Sequence, residues 1–116
     1  MSIDLSGRCI LIVEDEPLIA LEIAVALQSA RASVCTAATL EDALWLAETR
    51  ALALAIIDIA LGNDTSVVLC NRLSERGVPF VIYTGYSQIP PACKPHAVLR
   101  KPTDRETILR TVAALL

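Results

Sequence analysis

The chain has 116 residues, a formal net charge of −3 and a composition that is 54% hydrophobic but only 3% aromatic. That length gives one domain with an aliphatic core, and the acidic balance excludes the basic face that non-specific nucleic-acid binding needs. No apolar run approaches the ~18 residues of a membrane helix, no signal peptide opens the chain, and Cys9, Cys35, Cys70 and Cys93 lack CxxC or Cys/His metal spacing, as expected of reduced thiols in a cytoplasmic protein.

Arg8 to Val13 is a continuous apolar run, expected as a strand covered on both faces, and it ends on Glu14-Asp15-Glu16. Pro17 suits the first position of a helix. That helix, from Leu18 to about Ala30, carries Ile19, Ile23, Ala26 and Leu27 on one side and Leu18, Leu21 and Val25 beside them. With Glu22 nearly its only charge, it is buried on more than one side or keeps an apolar face for a partner. Ser33 to Ala37 reads as a short strand. Thr39 with Asp42 resembles a capping box for a helix that buries Leu40, Ala43, Leu44 and Ala47 and leaves Trp45 partly exposed.

Ala51 to Asp58 is the strand around which the chain is organised, because Leu54-Ala55-Ile56-Ile57 runs straight into a carboxylate. A helix is expected from about Thr65 to Arg76, with Asp64 before it as a cap and Gly77 closing it. Val78 to Thr84, beginning near Pro79, is the next strand. Gly85, Pro90, Pro91 and Pro95 leave room for at most one or two helical turns around Ser87 to Cys93. Ala97 to Arg100 is the last strand and ends on Lys101-Pro102. Thr103 with Glu106 reads as a capping box for a final helix that buries Ile108, Leu109, Val112 and Leu115. Five strands alternating with helices predict an α/β fold with a parallel sheet and right-handed crossovers. A chain that stops one helix after its last strand is expected to be a single module without an output domain.

The strand ends deliver Glu14 and Asp15, then Asp58, Thr84 and Lys101 to one edge of that sheet, the edge where open α/β sheets place their chemistry. Two carboxylates ~5 Å apart repel by roughly 3 kcal/mol at an effective dielectric of about 20, so three of them want a cation between them. Hard oxygen ligands suit Mg²⁺. A carboxylate beside Mg²⁺ can attack a phosphoryl group, and an ammonium and a hydroxyl can hold the phosphoryl oxygens.

On these residues the chain resembles the receiver domain of two-component response regulators over essentially its whole length. The resemblance implies a flavodoxin-like doubly wound sheet of order 2-1-3-4-5 with helices on both faces. It also implies phosphoacceptance on Asp58, Mg²⁺ held by Glu14, Asp15, Asp58 and the backbone carbonyl of Ala60, a switch hydroxyl on Thr84 and a phosphoryl contact from Lys101. The implied partners are a sensor histidine kinase or histidine phosphotransfer protein and a downstream protein, with neither nucleic acid nor membrane bound directly. Such a domain is a signalling module rather than an enzyme acting on other substrates.

Two departures stand out. Val98 occupies the position where many receivers carry a switch aromatic, three residues before the lysine. Pro79 to Tyr86 instead resembles the "FAT GUY" subclass, with Thr84-Gly85-Tyr86 intact and Ile82-Tyr83 in place of Phe-Ala. Tyr86 is then the remaining aromatic candidate for the switch, and the fourth helix is expected to be short or irregular. Gly62 stands where most receivers have Pro.

Other residues read more plainly. His96 is expected as an exposed loop histidine, Glu16 as a third acid beside the pair, Arg100 as pointing away from Lys101, and Tyr83 as packing on the face opposite Thr84. Two other functions compete. An aspartyl-phosphate phosphohydrolase would need a second Asp two residues past the nucleophile, where Ala60 stands. A phosphorylation-independent adaptor has no need of all five polar groups.

Overall fold

The computed structural model describes residues 2–59, 63–85 and 89–116, with the backbone alone for 63–66. The apolar runs form β1 (Cys9–Val13), β2 (Ser33–Ala37), β3 (Leu54–Ile57), β4 (Phe80–Thr84) and β5 (Ala97–Arg100). All pairings are parallel, in the order β2-β1-β3-β4-β5 expected from the sequence. Three helices lie in the crossovers, α1 (Pro17–Ser29), α2 (Leu40–Thr49) and α3 (Asn63–Glu75), and α4 (Arg105–Leu115) follows the last strand.

Successive strand residues point to opposite faces, so each continuous apolar run feeds two cores. Leu11, Val13, Ala55, Ile57, Phe80 and Ile82 pack with α2 and α3. Ile10, Ile12, Leu54, Ile56, Val81 and Tyr83 pack with α1 and α4. In α1, Ile23 and Leu27 are fully buried and contribute about 1.5–3 kcal/mol each. The second apolar set, Leu18, Leu21 and Val25, is exposed, so the apolar excess of this helix faces outward. No described helix is long and apolar enough to cross a membrane.

The helix ends show what a sequence can hide. At the end of α3, Gly77 takes φ +71°, its N–H donates to the Ser74 carbonyl and the Val78 N–H to that of Leu73. At the end of α1 the same closure is made by Arg31, at φ 73°, donating to the Gln28 carbonyl, with Ala32 donating to Leu27. Glycine signals this left-handed position and arginine does not.

Several boundaries differ from the expectation. β3 begins at Leu54 rather than Ala51, because its neighbour β1 begins only at Cys9, whose carbonyl accepts the Ala53 N–H. β4 begins at Phe80 rather than Val78, since the Val78 N–H is used in closing α3. α3 starts at Asn63, which places Asp64 inside the helix instead of before it as a cap. On α2 the Thr39 hydroxyl accepts the Asp42 N–H as expected, Leu46 joins Ala43 and Ala47 in the core, and Trp45 is exposed.

The expected cap of α4 is corrected. Its N-cap is Asp104, without a side-chain hydrogen bond, and Thr103 lies outside the helix. The Thr103 hydroxyl donates to the Arg100 carbonyl and its N–H to the Tyr83 hydroxyl, so both groups close the turn after β5. Between β4 and β5, residues 89–96 contain no helix, only a turn in which the Cys93 N–H donates to the Pro90 carbonyl. Ser87 and Gln88 lie outside the described residues.

Candidate functional site

Strand pairing decides which side chains meet. The Asp58 N–H donates to the Val13 carbonyl at 2.8 Å, continuing the β3–β1 ladder one step past the strand and fixing Asp58 beside the start of the acidic run. The Glu14 N–H donates to Ala37 at 2.9 Å, and the Lys101 N–H to the Thr84 carbonyl at 2.9 Å. The ends of all five strands are thereby paired at the C-terminal edge of the sheet.

Glu14 and Asp58 are buried there, 4% and 3% exposed, while Asp15 is open to solvent. Carboxylate oxygens of all three lie within 4.8 Å of one another, a group that could hold a metal ion. The Lys101 ammonium donates to Glu14 Oε2 at 2.9 Å and to Asp58 Oδ2 at 3.0 Å. Thr84 is fully buried at the end of β4. The sequence-predicted Glu14, Asp15, Asp58, Thr84 and Lys101 are therefore brought to one edge, and Glu14, Asp15, Asp58 and Lys101 line a cleft of about 330 Å³. Ala60, Gly62 and Tyr86 lie outside the described residues.

The electrostatics follow from burial and count. Burial pushes the Glu14 carboxyl above the ordinary glutamate value; Lys101 and the Glu16 N–H pull it back, and Asp58 adds to the rise. For Lys101 burial works against the charge, but the hydrogen bonds it donates to Glu14 and Asp58 outweigh it and hold the ammonium above the usual lysine value. One ammonium faces three carboxylates, two of them removed from water. Hard oxygen ligands with an open side and an excess of negative charge fit Mg²⁺. Glu16 is not part of the cluster: it is the N-cap of α1, and its N–H donates to Glu14 Oε1 at 3.1 Å.

Sequence reasoning missed one residue. Tyr83 packs opposite Thr84 as expected, but its ring also lies 5.5 Å from the Lys101 ammonium and its hydroxyl accepts the Thr103 N–H. Only the β4–β5 register, Tyr83 beside Leu99 and Thr84 beside Arg100, reveals that neighbourhood. Arg100 is exposed. His96 is exposed, though its Nδ1 accepts the Phe80 N–H at 3.3 Å, far from the acidic edge in chain register. All four cysteines are free thiols, with burial pushing Cys35 up to about 11, consistent with small hydrophobes rather than nucleophiles.

Among solved structures, the chain is similar to a CheY-like response regulator receiver domain protein from Methanospirillum hungatei JF-1, with 26% identity and a TM-score of 0.84 over 94% of this chain and 93% of that one. The receiver domain of a sensor histidine kinase from Pseudomonas aeruginosa PAO1, with a magnesium ion coordinated in its active-site cleft, matches at 22% identity and a TM-score of 0.84, covering 95% and 98% of the two chains. The response regulator TrrA from Thermotoga maritima, in complex with Mg²⁺ and BeF, matches at 22% identity and a TM-score of 0.83, covering 94% and 99%. No curated protein sequence matches the chain. The model of the response regulator receiver domain matches residues 10–113, and with this sheet order and this acidic edge the chain belongs to that family.

Proposed function

We infer that Asp58 is a phosphoacceptor, loaded from the phosphohistidine of a sensor histidine kinase or a histidine phosphotransfer protein. The observation that carries this reading is the single ammonium of Lys101 shared between buried Glu14 and Asp58, with Asp15 completing a three-carboxylate cluster. Such a site lacks positive charge and has an open cleft beside it. In the transfer an Asp58 carboxylate oxygen forms a bond to phosphorus while the bond from phosphorus to the donor nitrogen breaks. The imidazole leaves with the electron pair and takes up a proton. Lys101 and Thr84 would meet the phosphoryl oxygens.

Glu14, Asp15, Asp58 and the carbonyl of Ala60 are the groups that would hold Mg²⁺. When bound, Mg²⁺ supplies positive charge against both the carboxylates and the transferring phosphoryl group. The loaded domain would act through a downstream protein or as a phosphate sink. The exposed Leu18, Leu21 and Val25 of α1, on the helix that follows the acidic pair, supply an apolar surface on which the donor could dock. Val25→Glu is expected to slow transfer from the kinase but not from acetyl phosphate.

The test is intact mass after incubation with acetyl phosphate and Mg²⁺. Wild type should gain one phosphoryl mass and Asp58→Ala none. Equal modification of both would remove the assignment.

A further inference from the structure

Consecutive residues of β4 hold the two ends of the lysine turn. The Thr84 carbonyl accepts the Lys101 N–H at 2.9 Å, and the Tyr83 hydroxyl accepts the Thr103 N–H at 3.3 Å. The Tyr83 ring then faces the Lys101 ammonium at 5.5 Å, within the range of a cation–π contact. The same ammonium reaches Glu14 and Asp58 on its other side. Tyr83 itself is 5% exposed, beside Leu99 in the sheet and part of the core cluster under α1 and α4, so it offers the lysine a buried aromatic anchor.

A lysine is a flexible chain ending in a point charge, and its position must come from what surrounds it. Backbone pairing fixes only the start of this side chain. The carboxylates attract its end, yet one of the two, Asp58, is the group whose charge changes if it is loaded. The aromatic face is a contact to the ammonium whose own charge is untouched by transfer, and it belongs to a buried residue. An aliphatic residue at this position would keep the core apolar but would leave the Thr103 N–H without its acceptor and the ammonium without its aromatic neighbour.

We propose that Tyr83 is a positioning residue for Lys101: its ring and hydroxyl together fix where the ammonium meets an incoming phosphoryl group. This rests on the phosphoacceptor reading of Asp58. Tyr83 also lines a cavity of about 370 Å³ between α1 and α4, bounded by Leu21, Val25, Thr103 and Arg105.

The experiment compares wild type, Tyr83→Phe and Tyr83→Leu in their rate of phosphorylation by acetyl phosphate, measured across donor and Mg²⁺ concentrations. Tyr83→Leu should lower the maximal rate about fivefold to tenfold, and Tyr83→Phe, which keeps the ring, about twofold to threefold. The Mg²⁺ concentration for half-maximal rate should stay unchanged in both, which a general loosening of the fold would not allow. Nuclear magnetic resonance supplies a second readout: the Lys101 ε-methylene should lose its ring-current shift in Tyr83→Leu and retain it in Tyr83→Phe, while the Thr103 amide moves in both. If Tyr83→Leu does not fold, Tyr83→Phe decides alone, through its maximal rate and the Thr103 amide. Wild-type rates in both variants, or Lys101 signals identical across the three proteins, overturn the proposal and leave Asp58 as the acceptor. Absence of phosphorylation in wild type removes both readings together.

Discussion

The protein carries two clusters of charge that are built on opposite rules. On the surface between α2 and α3, Arg72 forks onto Glu48 and reaches Glu75 at 2.9 Å, and Arg76 lies 3.6 Å from Glu48. Two arginines answer two glutamates, all in contact with water. At the sheet edge one lysine answers three carboxylates, two of them buried. The matched cluster has little left to attract and is screened by solvent, so it contributes little to stability or binding. The mismatched one is held together by the fold against its own repulsion, and a divalent cation or a change of charge at Asp58 acts on it directly. Imbalance, not charge itself, sets the candidate functional site apart.

The largest expected effect comes from making the imbalance worse. Lys101→Ala removes the ammonium that Glu14 and Asp58 share and leaves both carboxylates buried beside each other and Asp15. It should lower stability in metal-free buffer by about 1–3 kcal/mol, with proton uptake by Glu14 limiting the loss. Urea titrations should show Mg²⁺ recovering more stability in this variant than in wild type; a smaller Mg²⁺ effect would mean that the lysine does not stand in for the cation. For wild type, Mg²⁺ at ~10–100 times its dissociation constant should add about 1.4–2.7 kcal/mol.

Relieving the imbalance is the next test. At an effective dielectric of about 20, Lys101 at 3.0 Å attracts Asp58 by roughly 5–6 kcal/mol, while two carboxylates within 4.8 Å repel it by roughly 3.5 kcal/mol each. These nearly cancel, and the cost of keeping Asp58 charged while buried decides the sign. Asp58→Asn should therefore raise metal-free stability by roughly 1 kcal/mol and shrink the Mg²⁺ response. A loss of stability with the Mg²⁺ response intact would contradict the comparison.

The two clusters should also differ in their dependence on pH. Arg72 holds the Glu48 carboxyl below its usual value, so Glu48 contributes stability above the ordinary glutamate pKa and loses it as pH falls through the lowered one. Burial holds Glu14 above its usual value, so its contribution is complete at low pH and is lost as pH rises through the raised one. In metal-free buffer, Glu48→Gln should flatten the acid limb of the stability profile, and Glu14→Gln the fall above the ordinary glutamate range. The smallest effect is reserved for Arg72→Ala, whose melting temperature should lie near that of wild type and converge on it in high salt.

The sequence was most informative where one physical rule acted alone. Apolar runs such as Leu54 to Ile57 had to be strands covered on both sides, and polar groups ending those runs had to gather at one edge. Alternation correctly sent Tyr83 and Thr84 to opposite faces. Where two rules competed, the local pattern misled. Thr103 three residues before Glu106 has the spacing of a cap, but its hydroxyl and N–H are claimed by Arg100 and Tyr83. Ala51 and Leu52 are apolar enough for a strand, but β1 offers no partner so early. The Tyr83–Lys101 contact joins residues that meet only through the pairing of β4 with β5, a register that no single strand carries in its own sequence.

Identifying the acceptor atom tests the central claim most directly. After incubation with acetyl phosphate and Mg²⁺, borohydride reduction should convert the acyl phosphate of Asp58 into homoserine at position 58, detected by peptide mass spectrometry, with the unmodified residue recovered when the donor is omitted. Homoserine at position 58 alone is the predicted result. Phosphate found instead on a serine, a threonine or His96, or reduction at Glu14 or Asp15, would contradict the account.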